Sequence, residues 1–232
     1  MNNFLKINNL IKKYGEGEGT TFALNDVSLE INEHDFVVIL GESGSGKSTL
    51  LNIIGGIDKP DSGNVLFMDK DITKYKDKEL TLYRRELVGF VYQFFNLLDE
   101  LNVIQNVTLA KKGKDKDKAI SILNDLGLKD KIHKYPRQLS GGEQQRTSIA
   151  RALNKDLRFL LCDEPTGALD NESGKAVLKL LEKIHNDGKT IILVTHTKEI
   201  AKMANRIITM KDGHIVSDII NTDIKKCEDI DW

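Results

Sequence analysis

Five consecutive apolar residues, Phe36–Leu40, run without a polar break into Gly41-Glu42-Ser43-Gly44-Ser45-Gly46-Lys47-Ser48-Thr49. A fully apolar run of that length reads as a strand buried on both faces, which needs a sheet covered on both sides. The next stretch, Lys47–Ile54, has helical character and closes at Gly55 and Gly56, the usual punctuation of a helix C-terminus. Strand, glycine loop and helix in immediate succession imply α/β architecture. They also fit G-x-x-x-x-G-K-S, in which small residues let backbone N–H groups wrap a polyphosphate at a helix N-terminus. In that reading Lys47 bridges the outer phosphates, and the Ser48 hydroxyl meets Mg2+, a hard cation that takes oxygen ligands. The loop alone is shared by many nucleotide-hydrolysing proteins.

The rest of the chain alternates in the same way. Short strands are expected at Leu5–Ile7, Phe22–Leu24 and Val27–Ile31, then at Val88–Tyr92, Phe159–Cys162 and Ile191–Val194. The later ones are separated by helix-length segments, Gly142–Leu153 and Asn171–Asp187, which favours a mostly parallel sheet. Near the end, Asp212-Gly213 between Arg206–Met210 and His214–Val216 is a hairpin signal. Residues 94–138 differ: they show little strand character, a helix expected at Lys118–Leu126 with Gly127 as its stop, and a helix breaker at Pro136. They read as a helical subdomain inserted into an α/β core, with KKGKDKDK at 111–118 as a solvated charged loop.

Composition removes other classes. The 232 residues suffice for a sizeable core, and 40% hydrophobic with 30% charged residues is globular rather than disordered. The 34 Lys+Arg against 35 Asp+Glu leave a formal charge of -1, so nucleic acid is not an expected partner. No apolar run approaches the ~20 residues of a membrane span, and the N-terminus lacks the pattern of a signal peptide, so a cytoplasmic chain is expected. Cys162, in an apolar run, and Cys227, in a polar tail, read as neither a disulfide nor a metal clip.

Two further motifs carry chemistry. Phe159–Cys162 leads into Asp163 and Glu164, two carboxylates at a strand end; as successive strand residues they would point to opposite faces, one toward Mg2+ and one toward an attacking water. Without the glycine loop, they read better as solvated acids at a strand boundary. Leu139-Ser140-Gly141-Gly142-Glu143-Gln144 directly precedes a helix, and Ser140 with Glu143 has capping-box spacing. Ser140 and the N–H groups of Gly141 and Gly142 would form a second anion site at a helix N-terminus.

Here the chain resembles the ATP-binding-cassette ATPases, for which LSGGEQ is the signature sequence, over roughly residues 3–217 and with the motifs in the family's order. The resemblance implies a P-loop NTPase fold with an N-terminal antiparallel β subdomain, a mostly parallel core sheet and an inserted helical subdomain. It divides a single ATPase domain, 1–232, into 1–93 and 139–217 as core plus β subdomain, 94–138 as helical subdomain, and 218–232 as tail. The resemblance further implies that Gly41, Ser43, Gly44, Ser45, Gly46, Lys47, Ser48 and Thr49 hold ATP, that Tyr14 stacks on adenine, and that Ser140, Gly141, Gly142 and Asp170 meet the nucleotide or the interface from a second subunit. By the same resemblance Glu164 is the general base, Gln93 touches Mg2+ or the lytic water, His196 contacts the γ-phosphate, and Ser48, Gln93 and Asp163 surround the metal. A head-to-tail homodimer closed on ATP, attached peripherally to the membrane through a separate transmembrane permease subunit, follows from it.

Details such as Gly89-Phe90-Val91-Tyr92-Gln93 followed by Phe95-Asn96-Leu97-Leu98 resemble the branch of macrolide and antimicrobial-peptide exporters and lipoprotein-releasing ATPases. That branch also contains a cell-division regulatory ATPase that transports nothing, which remains the alternative. Glu42, Phe94 and Asp99 depart from the usual pattern, and the stretch from Val107 to Ala119 looks shorter than in many relatives. At least half of Phe94, Phe95, Leu97 and Leu98 are expected to pack inside the helical subdomain, the others to line a groove for a short helix of the membrane subunit.

Overall fold

A computed structural model describes residues 4–109 and 116–231. The chain opens with β1 (Leu5–Tyr14) and β2 (Thr21–Ile31), then β3 (Phe36–Leu40) and α1 (Lys47–Ile54). Next come β4 (Ser62–Phe67), β5 (Lys70–Asp71), α2 (Asp77–Glu86) and β6 (Val88–Tyr92). After them stand α3 (Val103–Thr108), α4 (Lys116–Asp125) and α5 (Gly141–Leu153). The final third holds β7 (Phe159–Asp163), α6 (Asn171–Asn186), β8 (Thr190–Thr195), α7 (Lys198–Ala201), β9 (Arg206–Lys211) and β10 (His214–Ile220).

Among the described residues the strands form two sheets: an antiparallel one of order β2-β1-β4-β5, and one of order β10-β9-β3-β8-β7-β6. In the second, β3 pairs in parallel with β8 and β9, and β7 with β6 and β8; only β10 runs antiparallel, on β9. Period-two alternation explains how one sheet serves two cores. Val37, Ile39, Phe159, Leu161, Ile192 and Val194 face the antiparallel sheet and α1, while Phe36, Val38, Leu160, Cys162, Ile191 and Leu193 face residues of α5 and α6. Helix α6 offers Val177, Leu178, Leu181 and Ile184 to that second core, spacing that places them on one helical face. A third cluster, Val103, Ile104, Val107, Ala119, Leu123, Leu128, Leu139 and Ala150, is confined to α3, α4, α5 and their connections.

The structure corrects several expectations. The three short N-terminal strands are two long ones, because β1 is paired on both sides, to β2 and β4, and continues through a bulged region where Asn9 has φ 47°. The polar sequence of Asp77–Glu86 gave no strong apolar period, yet it forms α2 by burying Leu80 and Tyr83. Helix α4 begins two residues earlier than expected, so Lys116, Asp117 and Lys118 of the charged stretch are helical; residues 111–115 lie outside the described residues. The tail is not simply polar: β10 extends to Ile220, and Cys227 and Ile230 are buried against the second core. Asp212 and Gly213 adopt φ 48° and 77°, as a tight hairpin turn requires.

Phe159 shows what the interface between sheets depends on. It is fully buried, with its ring 5.6 Å from both Phe4 and Phe67 and 6.3 Å from Tyr83. Phe159→Ala should lower stability by about 3–5 kcal/mol, read as a fall in the urea midpoint at unchanged slope. A loss below about 1 kcal/mol would mean the cluster collapses around the cavity.

Candidate functional site

The C-terminal ends of β3, β7 and β8 lie side by side, so the loops leaving them open onto one sheet edge, where open α/β sheets hold ligands. The cleft there measures about 810 Å3 and is lined by Tyr14, Ala23, the loop Glu42–Gly46, Lys47, Ser48, Thr49, Gln93, Asp163, Glu164 and His196.

Loop shape follows from glycine. Gly46, the N-cap of α1, has φ 97°, and a Cβ there would be driven into the carbonyl of Ala23 on β2. A side chain on Gly41 would meet the Ser45 hydroxyl and the Met210 carbonyl. The loop thus wraps the N-terminus of α1, where free N–H groups and the helix dipole favour an anion. Lys47 is only 7% exposed, and its Nζ donates to the carbonyl oxygens of Gly41 and Glu42, both at 2.8 Å. Burial lowers its pKa, and the charges of Glu164 and Asp163 oppose that shift.

The Ser48 hydroxyl donates to Asp163 Oδ1 at 2.9 Å. Burial raises the Asp163 pKa, Ser48 and Lys47 work against the rise, and Glu164 adds to it. A desolvated carboxylate beside a hydroxyl, with Gln93 lining the same cleft, is an oxygen donor set that fits Mg2+.

Glu164 corrects the opposite-faces expectation. Its φ is 45°, so the chain leaves the strand geometry at this residue, and both acids line the same cleft. A left-handed non-glycine residue costs on the order of 1 kcal/mol and persists only when its surroundings fix it. Its N–H donates to the Val194 carbonyl at 3.0 Å, Thr195 Oγ1 donates to Oε2 at 3.0 Å, and His196 Nδ1 lies 2.8 Å from Oε1. An ionised carboxylate only accepts, so Nδ1 carries the hydrogen. Gly167, three residues on, lets Gln93 approach, since a Cβ there would sit 2.9 Å from Gln93 Nε2.

Ser140, Gly141, Gly142 and Asp170 do not line this cleft. Ser140 caps α5, receiving the Glu143 N–H at 3.3 Å while its own N–H donates to Glu143 Oε2 at 2.9 Å. Asp170 caps α6 by accepting from the Ser173 N–H at 2.9 Å. Gly41 lies behind the loop, in contact with an adjoining cavity.

Sequence reading passed over Gln145, which is fully buried and donates from Nε2 to the carbonyls of Tyr92, at 3.1 Å, and Pro165, at 2.6 Å. It ties α5 to the residues beside Gln93 and Glu164. A glutamine in the polar run Glu143-Gln144-Gln145-Arg146 carries no mark of burial, and its partners are distant in sequence. Thr195 was likewise hidden at the polar end of an apolar strand.

The raised Asp163 pKa has a testable consequence. A carboxyl whose folded pKa is raised gives stability that is present below its ordinary range and lost as pH rises through the folded value. Asp163→Asn, which keeps the acceptor for Ser48 and removes the charge, should therefore stabilise the protein without ligands by about 0.5–1 kcal/mol at pH 7. The gain should shrink toward acid pH in urea titrations, and stabilisation by Mg2+ with nucleotide should be lost.

Comparison with known proteins agrees with this geometry. The profile of the ABC transporter family matches residues 24–167. The chain is 47% identical over 220 residues to the macrolide export ATP-binding/permease protein MacB of Campylobacter fetus, covering 92% of this chain and 34% of that protein. It thus spans about a third of the length of the MacB relatives it matches. It is 44% identical to the uncharacterized ABC transporter ATP-binding protein YvrO of Bacillus subtilis, over 92% of this chain and 96% of that one. The solved dimeric post-hydrolysis structure of the ATP-binding cassette MJ0796 bound to ADP and Pi superposes with a TM-score of 0.86, at 41% identity, covering 93% of this chain and 98% of that one. With its glycine loop, paired acids and histidine on one sheet edge, and with these likenesses, the chain belongs to the ABC transporter family and has the fold of its ATP-binding cassettes.

Proposed function

We propose that the chain is the ATP-hydrolysing subunit of a membrane export or force-transmission complex of the macrolide, antimicrobial-peptide or lipoprotein type. The observation that carries this reading is the convergence of Lys47, the Ser48–Asp163 pair and the Glu164–His196 pair on one cleft. The loop N–H groups and Lys47 receive the polyphosphate, and Tyr14, which lines the same cleft, takes the base. Ser48, Asp163 and Gln93 would hold Mg2+, which when bound would neutralise phosphate charge. Each Glu164 oxygen already accepts one hydrogen bond and retains a lone pair, with which the carboxylate takes a proton from the attacking water. His196 holds that carboxylate through its Nδ1 hydrogen, and its other nitrogen, protonated as well, would donate to the γ-phosphate. Attack at the γ-phosphorus breaks the bond to the β–γ bridging oxygen and releases ADP and phosphate.

Ser140 and its glycines stand outside the cleft, so their anion site serves nucleotide held by a second copy. This reading is supported by the solved relative, which is a dimer by its description. Attachment to the cytoplasmic face of the membrane is through a permease subunit; the MacB relatives carry ATP-binding and permease functions in their names.

The docking site for that subunit is the face beside Gln93. Contrary to the packing expected of them, Phe94 is 73% exposed and Leu98 exposed, while Phe95 and Leu97 are half-buried and none belongs to the helical core. Next to them Phe90, Tyr92, Asn96, Arg151 and Lys155 line a pocket of about 290 Å3. Arg151 donates to the carbonyls of Phe95 and Asn96, and Lys155 to those of Arg84 and Val88. Burial, with the charge of Arg151 beside it, pushes the Lys155 pKa down to about 8. A cationic pocket under an apolar rim fits an amphipathic helix of the permease that bears a carboxylate.

Three outcomes are expected. Glu164→Gln should bind ATP but lower turnover by about 10²–10⁴-fold and accumulate an ATP-bound dimer on a sizing column; a monomer turning over at the wild-type rate would remove Glu164 as the base. Lys47→Ala and Ser140→Arg should each be nearly inactive alone, and mixing them should restore part of the activity through dimers with one intact composite site. Phe94→Asp should abolish co-purification with the permease while the isolated chain keeps its ATPase and its melting temperature; retention at wild-type levels would place the docking surface elsewhere.

A further inference from the structure

Tyr14 ends β1 with 48% of its surface exposed, and an isolated aromatic on a strand end would sample several ring orientations. Here it does not stand alone. Its hydroxyl donates to Asp58 Oδ2 at 2.8 Å. The other oxygen of the same carboxylate, Oδ1, accepts Lys12 Nζ at 2.8 Å and the N–H of Lys59 at 2.7 Å. Lys12 also donates to the Lys59 carbonyl at 2.8 Å, and this places its ammonium over the Tyr14 ring, 5.3 Å from the centroid. The segment that carries Asp58 is itself stapled to β1, since the Asp61 carboxylate accepts the Lys13 N–H at 2.6 Å and the Asp61 N–H reaches the Ile11 carbonyl at 2.8 Å.

Resting on the reading of the cleft as an ATP site, we propose that Asp58 is a positioning residue for base recognition: with Lys12 it locks the Tyr14 ring so that one face is covered by the ammonium and the other is kept for the adenine. The connection between α1 and β4 thereby becomes part of the nucleotide site without touching nucleotide. The chemistry is specific. Fixing the ring before the base arrives removes an entropy cost from binding, and the ammonium on the covered face leaves the base a single side to take. Asp58 is well suited to the task because its two oxygens are committed to different partners, one to the ring hydroxyl and one to the cation, so ring and ammonium are fixed relative to each other. The shifts agree with this arrangement: burial would raise the Asp58 pKa, and the hydrogen bonds from Lys12, Tyr14 and Lys59 together hold it below the ordinary carboxylate range.

The test compares ligands with and without a base. The full chain, in Mg2+, is titrated calorimetrically with ATP and with inorganic tripolyphosphate, and ATPase rates are measured in parallel. Asp58→Ala should weaken ATP binding about five- to tenfold and raise KM by the same factor, with kcat and tripolyphosphate affinity within about twofold of wild type. Tyr14→Phe, which keeps the ring and removes its anchor, should shift ATP affinity in the same direction. Adding Asp58→Ala to Tyr14→Ala should cause no further loss, because the two substitutions act through one contact. Equal losses for ATP and tripolyphosphate would show that Asp58 supports the fold of the cleft rather than the ring, and would overturn the proposal. If Tyr14→Ala weakens ATP binding while Asp58→Ala does not, the Asp58 role alone falls; if Tyr14→Ala leaves ATP binding unchanged, the stacking reading fails and takes the proposal with it.

Discussion

The ammonium of Lys47 is the charge around which the rest of the cleft is arranged. It sits at the mouth of α1, nearly out of water, and a buried cation of this kind is costly unless its hydrogens are taken. The loop that creates the burial also supplies the acceptors, the carbonyls of Gly41 and Glu42. That closure requires Gly41 to pass against the Met210 carbonyl and Gly46 to turn with φ 97° against Ala23, which in turn requires β9 and β2 to stand where they do. In the proposed ATP site, phosphate oxygens would replace those carbonyls as the acceptors of the lysine. Binding then exchanges one set of acceptors for a more strongly charged one, and the helix N-terminus adds its own preference for an anion.

A second constraint acts on the acids. Asp163 still belongs to β7, whereas Glu164 is turned out of it by a left-handed backbone. This turn is held from the next strand over, by the Val194 carbonyl, the Thr195 hydroxyl and the His196 ring, so the carboxylate geometry depends on the register between β7 and β8. Gln145 secures the far side, linking the carbonyls before Gln93 and after Glu164 to α5. Any displacement of α5 must therefore break these two bonds or carry both segments with it. A buried amide donor left unpaired costs about 1–3 kcal/mol, which makes moving together the cheaper course.

Much of this was legible before any coordinates, and the reasons differ from place to place. Phe36–Leu40 and the following glycines admit few conformations, so strand, loop and α1 were readable to the residue. The apolar run Phe159–Cys162 announced a buried strand because alternate residues feed two cores. The acids after it were found by type and place, but their directions were misjudged, since strand alternation says nothing once a residue takes φ 45°. Helix α2 and the full length of β1 were missed because both present polar residues to water and owe their form to neighbours distant in the chain. Asp58 and Gln145 were missed for the same reason: Asp58 takes the hydroxyl of Tyr14, 44 residues away, and Gln145 reaches the carbonyls of Tyr92 and Pro165, 53 and 20 residues away, where no local pattern exists.

The segment after Gln93 shows how these constraints meet at the surface. Phe95 and Asn96 adopt consecutive left-handed φ values of 59° and 49°, a conformation non-glycine residues hold only when the surroundings impose it. What imposes it is Arg151, on the same helix as Gln145, whose guanidinium takes both of their carbonyls, while Asn106 fixes the chain further on by accepting the Leu98 N–H. One helix thus grips the loop at both of its functional ends: Gln145 at the residue before Gln93, inside the cleft, and Arg151 at the residues beneath exposed Phe94. The strain in the loop is sustained by a side chain whose position follows α5, and α5 is capped by Ser140. The rim around Phe94 and the cap at Ser140 are therefore joined through one helix, so that a displacement of α5 would be felt at both.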